Sequence, residues 1–146
     1  MPMEPRNPEY ARQVEEIFRA AAFITDVGYE LVGVVPGQVE TRLTVLPRHL
    51  QQDGVIHMGV QATMADHTGG SAAGSLISAD QMVLTTGFTM NLLQVAVGEE
   101  LRCRATVLKA GRTLSIVESE VYAVARGEKK LVSKATVTLA VLARRR

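Results

Sequence analysis

The sequence predicts an α+β fold in which one long central helix is wrapped by a single antiparallel sheet, with an additional helix at the N-terminus. Two observations predict it. A run of small residues with helical periodicity occupies the middle of the chain, and alternating apolar and polar residues fill most of the remainder. The predicted order is a helix, two strands, the long helix and four strands. With 146 residues, the chain suits one domain over residues 1–146, with its core over about 24–142.

The first helix is predicted over residues 8–23, where apolar residues recur at helical spacing between charged ones. Gly28 then interrupts the pattern. The stretch YELVGVVPGQVETRLTVL predicts two strands joined by a turn at Pro36 and Gly37. Residues 47–54 are polar and predict a loop that leaves His49 at the surface.

The central helix is predicted over residues 60–78, because apolar or small residues recur there every four positions. Four glycines lie in or beside it, and each costs about 1 kcal/mol of helix stability relative to alanine. We therefore expect another backbone to approach this helix closely, which glycine permits. A shorter helix that ends at Gly69 and Gly70 is the alternative. The four glycines are Gly59, Gly69, Gly70 and Gly74.

Four strands are predicted after Ala79, over residues 83–93, 101–107, 113–125 and 131–142. The last three are predicted to form an antiparallel meander, since short polar turns join them. A single sheet with a helix on one face leaves an edge and a face uncovered. Dimerisation is a usual way to cover them.

Composition excludes several classes of function. Sixteen basic and fifteen acidic residues leave a net charge of +1, which predicts no binding to nucleic acid or anionic membranes. No apolar run approaches the ~20 residues of a membrane span, and the N-terminus lacks the apolar core of a secretory signal, so we expect a cytoplasmic protein. The single cysteine, Cys103, is predicted to pack in a strand. The cluster Arg144, Arg145 and Arg146 is predicted to be a solvated tail.

Asp66 is the strongest candidate for chemistry. It lies in GVIHMGVQATMADHTGG, which contains no lysine or arginine. A buried carboxylate without a cation must keep water or a polar ligand nearby or remain uncharged, and such groups are candidate bases or nucleophiles. The alternative is an aspartate that faces solvent or caps a helix beginning at His67. His57, Asp66 and His67 have no recognised metal-ligand spacing, and no phosphate loop or serine elbow is present, so we expect neither metal nor cofactor.

Three segments resemble the hotdog-fold acyl-CoA thioesterases, in particular the phenylacetate-degradation type. They are PGQVETRLTV, QQDGVIHMGVQATMADHTG and LTTGFTMNLLQVAVGEELRCRATVLKAGRTLSIVESEV. The resemblance covers about residues 24–142. It implies that the sheet wraps the central helix, that the protein hydrolyses an acyl-CoA to a free acid and CoA without a cofactor, and that it forms a homo-oligomer, either a dimer or a dimer of dimers.

The resemblance also implies site residues, by position. The active-site histidine of the family corresponds to His57 and its essential acid to Asp66, acting as base on water or as nucleophile. An Asn or Gln six residues before the histidine corresponds to Gln51. A hydroxyl on the next strand corresponds to Thr85, with Thr86 as the alternative. Gln51 and His57 of one subunit are expected to meet Asp66 and Thr85 of the other.

Further contacts are expected around these residues. The family's histidine is usually followed by two glycines; here Met58 replaces the first, and Gly59 is the second. A backbone N–H of either, at the helix N-terminus, is expected to polarise the substrate carbonyl. Arg112 and Arg104 are candidate contacts for CoA phosphates, with solvated charges as the alternative. Two other functions stay open: a non-catalytic acyl-CoA-binding hotdog protein, and a hotdog acyl-thioester hydratase.

Overall fold

The computed structural model describes residues 3–144. Three α-helices and six strands follow one another with a short 3₁₀ helix between β2 and α3. Their bounds are α1 Tyr10–Ala20, α2 Ala22–Val27, β1 Glu30–Val35, β2 Gln38–Thr44, the 3₁₀ helix Pro47–His49, α3 Met58–Gly74, β3 Gln81–Leu92, β4 Glu100–Ala110, β5 Leu114–Ala125 and β6 Glu128–Ala143. The strands form one antiparallel sheet in the order β1-β2-β4-β5-β6-β3.

The α3 helix packs across one face of this sheet, against β2 to β6. The alternation of apolar and polar side chains along each strand determines which face of the sheet packs against α3. In β4, Leu101, Cys103 and Ala105 are buried, while the intervening Arg102 and Arg104 are exposed. The burial of Cys103 raises the pKa of its thiol to about 12. The predicted α+β fold, with a sheet wrapped around a long central helix, is therefore confirmed, as is the meander of β4, β5 and β6.

Buried hydroxyl groups fix the position of α3 on the sheet. Ser119 Oγ of β5 donates to the Ala65 carbonyl oxygen at 2.7 Å. The hydroxyls of Thr41 on β2 and Thr68 on α3 lie 2.7 Å apart in a hydrogen bond. Both hydrogen bonds are buried, so they satisfy polar groups that would be costly to leave unpaired.

Several predicted boundaries are wrong. The N-terminal helix predicted over residues 8–23 is two helices, separated at Ala21, whose backbone is extended (φ −79°, ψ 95°). The central helix begins at Met58 and ends at Gly74, so both the prediction over 60–78 and the shorter alternative are wrong. None of the helices within residues 3–144 is long and apolar enough to cross a membrane.

His49 is buried rather than at the surface. It ends the 3₁₀ helix, and only 2% of it is exposed. Its Nε2 lies 2.6 Å from the Val27 carbonyl oxygen, and its Nδ1 accepts a hydrogen bond from the Leu46 N–H. The imidazole thus joins the end of α2 to the loop before α3, a long-range contact that local polarity does not reveal.

The explanation expected for the helix glycines is also wrong. Side chains approach Gly69, not backbone: a Cβ there would lie 3.2 Å from Ser119 Oγ and 3.2 Å from Val137 Cγ2. At Gly70 a Cβ would make an ordinary contact, 3.6 Å from Leu139 Cδ2, and at Gly74 it would meet nothing within 4 Å. Of these three glycines, Gly69 is the one that packs tightly against side chains of the sheet.

Candidate active site

The carboxylate of Asp66 is held by a hydroxyl group of β3. Asp66 lies in the middle of α3 and is half-buried. Thr85 Oγ1 donates a hydrogen bond to Asp66 Oδ1 at 2.7 Å. Asp66 takes part in no ion pair among the described residues. The second carboxylate oxygen therefore remains available to accept a proton or a hydrogen bond from a ligand.

A β-bulge separates the two candidate threonines. The pairing of β3 with β6 shifts between Thr85 and Gly87, which leaves Thr86 as an extra residue. Thr86 Oγ1 donates instead to the Thr138 carbonyl oxygen of β6, at 3.3 Å. Of the two threonines, Thr85 is thus the one that contacts Asp66.

A cavity of about 400 Å³ opens beside Asp66 and Thr85, within the range of small-molecule sites. It lies between α1, α3 and the paired strands β3 and β6, and most of its wall is apolar. The residues that line it are Val14, Ile17, Asp66, His67, Gly70, Ser71, Gly74, Ile77, Met82, Val83, Leu84, Thr85, Leu139 and Arg144.

Arg144 is exposed but is held against β3 by hydrogen bonds. Its backbone N–H donates to the Asp80 carbonyl oxygen at 2.8 Å, and its Nη2 donates to the Gln81 carbonyl oxygen at 2.9 Å. Arg144 is thus exposed, as a solvated residue should be, but it is fixed to the start of β3 by two hydrogen bonds. Arg145 and Arg146 lie outside the described residues.

His67, next to Asp66, is enclosed by α1. Its ring lies 4.8 Å from that of Phe18, centroid to centroid, and its Nε2 is buried without a hydrogen-bond partner among the described residues. This burial lowers the pKa of His67, and the nearby charge of Asp66 offsets the effect only in part. The imidazole is thus held neutral, as part of the wall that α1 and α3 form.

The N-terminus of α3 presents a second group of polar atoms. His57 is the N-cap residue, and its Nδ1 accepts the Gly59 N–H at 2.8 Å. A neutral ring that accepts at Nδ1 carries its proton on Nε2, so His57 presents an N–H donor there. The Met58 N–H has no acceptor within residues 3–144. Of the two predicted oxyanion donors, Met58 rather than Gly59 therefore has its N–H free.

The two groups lie in different cavities of one chain. Gln51, His57 and Met58 line a separate cavity of about 360 Å³, which shares no lining residue with the cavity beside Asp66 and Thr85. The Gln51 amide is turned toward its own loop, where its Oε1 accepts the Asp53 N–H. One subunit thus does not unite the four predicted residues in a single cavity.

The arginines considered for phosphate binding lie in neither cavity. Arg104 is on the sheet face opposite α3, where its Nε lies 3.1 Å from Glu40 Oε1. Arg112 is exposed in the turn between β4 and β5 and forms no ion pair with a described residue. Within residues 3–144, no three His, Cys, Asp or Glu side chains are grouped so as to hold a metal ion.

The sequence pattern does not predict several of the residues that surround Asp66. The apolar periodicity of the first helix predicts a packed face that includes Val14 and Ile17, but not that they would lie beside Asp66. Ile17 is 45% exposed and lines the cavity. Four of the six strands lie between Asp66 and Arg144 along the chain. Only the pairing of β6 with β3 brings Arg144 to the cavity.

Comparisons with known proteins agree on one family. The model of the thioesterase superfamily matches residues 53–130. The crystal structure of a thioesterase family protein from Silicibacter pomeroyi is 34% identical, covers 92% of this chain and 99% of its own, and superposes with a TM-score of 0.91. The conserved protein PA5202 from Pseudomonas aeruginosa is also 34% identical, over 84% of this chain and 94% of its own, with a TM-score of 0.76.

A more distant structure shares the fold. Thioesterase HI1161 from Haemophilus influenzae is 21% identical and superposes with a TM-score of 0.81, over 91% of this chain and 90% of its own. Its similarity shows that the arrangement of α3 and the six-stranded sheet persists when most side chains differ.

Proposed function

Because this chain belongs to the thioesterase superfamily, we propose that it hydrolyses an acyl-CoA to a carboxylic acid and CoA, with Asp66 at the reacting centre. The observation that supports this most directly is the position of Asp66. Among residues 3–144 its carboxylate has a hydroxyl partner but no cation, and it borders a largely apolar cavity. An acyl group needs apolar walls, and its thioester carbon needs a base or nucleophile within reach.

Asp66 has two chemically balanced routes. As a base, its free oxygen takes a proton from water while the water oxygen attacks the thioester carbon, and the C–S bond then breaks. As a nucleophile, the carboxylate attacks that carbon itself, the C–S bond breaks, and CoA leaves as the thiolate, which gives a mixed anhydride that water hydrolyses in a second step to the free acid and the regenerated carboxylate. In both routes the hydrogen bond from Thr85 orients the carboxylate.

The charge that develops on the carbonyl oxygen requires hydrogen-bond donors. The free N–H of Met58 stands at the N-terminus of a 17-residue helix, where the helix dipole also favours negative charge. One such donor is typically worth about 3 kcal/mol of barrier. In this proposal His57 adds its Nε2–H, as donor to the carbonyl or to the departing sulfur, and Gln51 positions the water or the leaving thiolate.

The complete site requires two subunits in this proposal, arranged as a dimer or as a dimer of dimers. The two halves of the predicted site line separate cavities in one chain, so a partner is needed to bring them together. The β3 strand is an edge of the sheet, and exposed edges with apolar side chains favour pairing. Large exposed apolar residues on β3 and just after it are Leu84, Leu92, Leu93, Val95 and Val97.

The substrate class follows from the cavity and its surroundings. A cavity of about 400 Å³ accommodates an arylacetyl group, in keeping with the resemblance to phenylacetate-degradation enzymes. For the CoA phosphates, Arg112 is the better of the two candidate arginines, because Glu40 already neutralises Arg104. A guanidinium in an exposed turn can reach phosphate oxygens with two N–H donors.

The test is thiol release from a panel of acetyl-, octanoyl- and phenylacetyl-CoA. We expect the wild-type protein to release CoA and the Asp66→Asn variant to lose at least about a thousandfold in kcat, as is common when a reacting group is removed. The matched control is Asp26→Asn, the same substitution on the exposed surface of α2, which should keep wild-type activity. If no ester is cleaved but CoA esters still bind, the protein is an acyl-CoA-binding protein instead.

A mixing experiment tests whether the site is shared. His57→Ala and Asp66→Asn subunits, each inactive alone, are unfolded together and refolded. In a dimer with two shared sites, random mixing gives heterodimers in which one site is intact, which restores about a quarter of wild-type activity. If the mixture stays inactive although heterodimers form, each site belongs to one chain and the shared arrangement is wrong.

A further inference from the structure

Resting on the function proposed above, we infer that the cavity beside Asp66 is a channel for the acyl group and that Gly74 of α3 determines how long that group can be. The channel is defined here as the cavity between α1, α3 and the β3–β6 pair. Neither the family of the chain nor the predicted site residues assign a role to Gly74.

The helix side of the channel is one face of α3. Asp66, Gly70 and Gly74 recur every four residues, so they lie one above another on the same side of the helix, and all three line the channel. At 1.5 Å per residue, the eight residues from Asp66 to Gly74 span about 12 Å. A group attached to a thioester at Asp66 therefore passes Gly70 and then Gly74.

The strand side runs in the same direction. Thr85 contacts Asp66 at one end, and Met82, which also lines the channel, lies three residues earlier on β3. Arg144, which is bound to the Gln81 carbonyl oxygen, stands beyond Met82. The channel wall is thus mostly apolar, with the Asp66 carboxylate at one end and the Arg144 guanidinium at the other.

A mostly apolar wall with a charged group at each end suits a hydrocarbon of limited length. A cavity of about 400 Å³ lies toward the small end of the range for ligand sites. A longer alkyl chain would meet the guanidinium of Arg144 and remove it from water, which is unfavourable. Among the described residues that line the channel, none near Asp66 is a lysine or arginine that would favour the phosphate-bearing arm of CoA.

Gly74 leaves space that packing does not require. A Cβ at this position would meet nothing within 4 Å, in contrast to Gly69, where Ser119 and Val137 press against the helix. Alanine would be the better helix former at Gly74, and its backbone has no left-handed conformation that demands glycine. Because Gly74 lines the channel, the side chain that is missing there is volume available to the ligand.

The experiment compares Gly74→Leu with the wild-type protein by calorimetric titration of S-ethyl-CoA and S-octyl-CoA, thioethers that cannot be hydrolysed. The matched control is Gly33→Leu, since a Cβ at Gly33 on the edge strand β1 also meets nothing within 4 Å and Gly33 does not line the channel. We expect Gly74→Leu to weaken S-octyl-CoA binding at least about tenfold relative to S-ethyl-CoA, as loss of pocket space for several methylenes implies. The control should leave the ratio unchanged.

Gly74→Ala, which adds a single methyl group, should shift the same ratio in the same direction by a smaller factor, and it guards against misfolding of the leucine variant. An octyl-to-ethyl binding ratio that is unchanged in both Gly74 variants overturns the inference. Failure of the proposed function is seen separately: if the wild-type protein cleaves no acyl-CoA but Gly74→Leu still selects against S-octyl-CoA, the channel stands and the hydrolase does not.

Discussion

The hydrogen bond from Thr85 to Asp66 allows a quantitative prediction. Replacing Thr85 with valine keeps the shape and the β-branched side chain but removes the donor 2.7 Å from Asp66 Oδ1. The carboxylate then loses the hydrogen bond that orients it. We therefore expect a loss in kcat/KM with little change in fold stability, because Thr85 is exposed on an edge strand.

The size of the loss follows from the type of hydrogen bond. A bond to a charged group is worth about 1.5–3 kcal/mol, which corresponds to about 10- to 150-fold in rate. Water can replace part of the bond, since Thr85 is exposed, so the lower end applies and we expect about a tenfold decrease. Thr85→Ser retains the hydroxyl and should recover most of the activity.

The assay is steady-state thiol release with the best acyl-CoA of the panel, with thermal unfolding measured in parallel. Thr86→Val is the matched control, because Thr86 is the neighbouring exposed threonine and its hydroxyl bonds the Thr138 carbonyl oxygen instead of Asp66. We expect less than a threefold change for it, within the small effects of surface substitutions. Equal losses in the two valine variants, or no loss in Thr85→Val, would refute the role assigned to Thr85.

Two further predictions concern stability. Gly69→Ala should lower the free energy of unfolding by about 1 kcal/mol, because overpacking against the sheet outweighs the gain in helix propensity. Gly70→Ala should leave the free energy of unfolding unchanged or raise it. Urea unfolding that shows a decrease in both variants, or in neither, would contradict this. Burial lowers the pKa of His67, so the folded state favours the neutral imidazole. The stability that this preference provides is complete above about pH 6.5, the ordinary pKa of histidine in an unfolded chain. It is lost as the pH falls below that value. Melting temperatures between pH 7.5 and 5 should therefore fall less steeply in His67→Phe than in the wild-type protein, and parallel curves would argue against this role of burial.

Much of the fold could be predicted from local pattern. Alternation in residues 101–107 predicts both the β4 strand and the face it buries, because side chains of a strand point alternately to opposite sides. The break at Ala21 could not be predicted, since neither glycine nor proline marks it. The burial of His49 likewise depends on a carbonyl oxygen 22 residues away in the chain.

For the site, the sequence by itself determined that Asp66 has no basic neighbour and that a helix rich in small residues carries it. Only the tertiary structure decided that Thr85 rather than Thr86 holds the carboxylate, through a bulge that depends on pairing with β6. It also decided that Gly69 is packed tightly while Gly74 faces open space. Spacing along a helix determines which residues share a face, but what lies opposite each of them is set by chain segments that meet only when the protein folds.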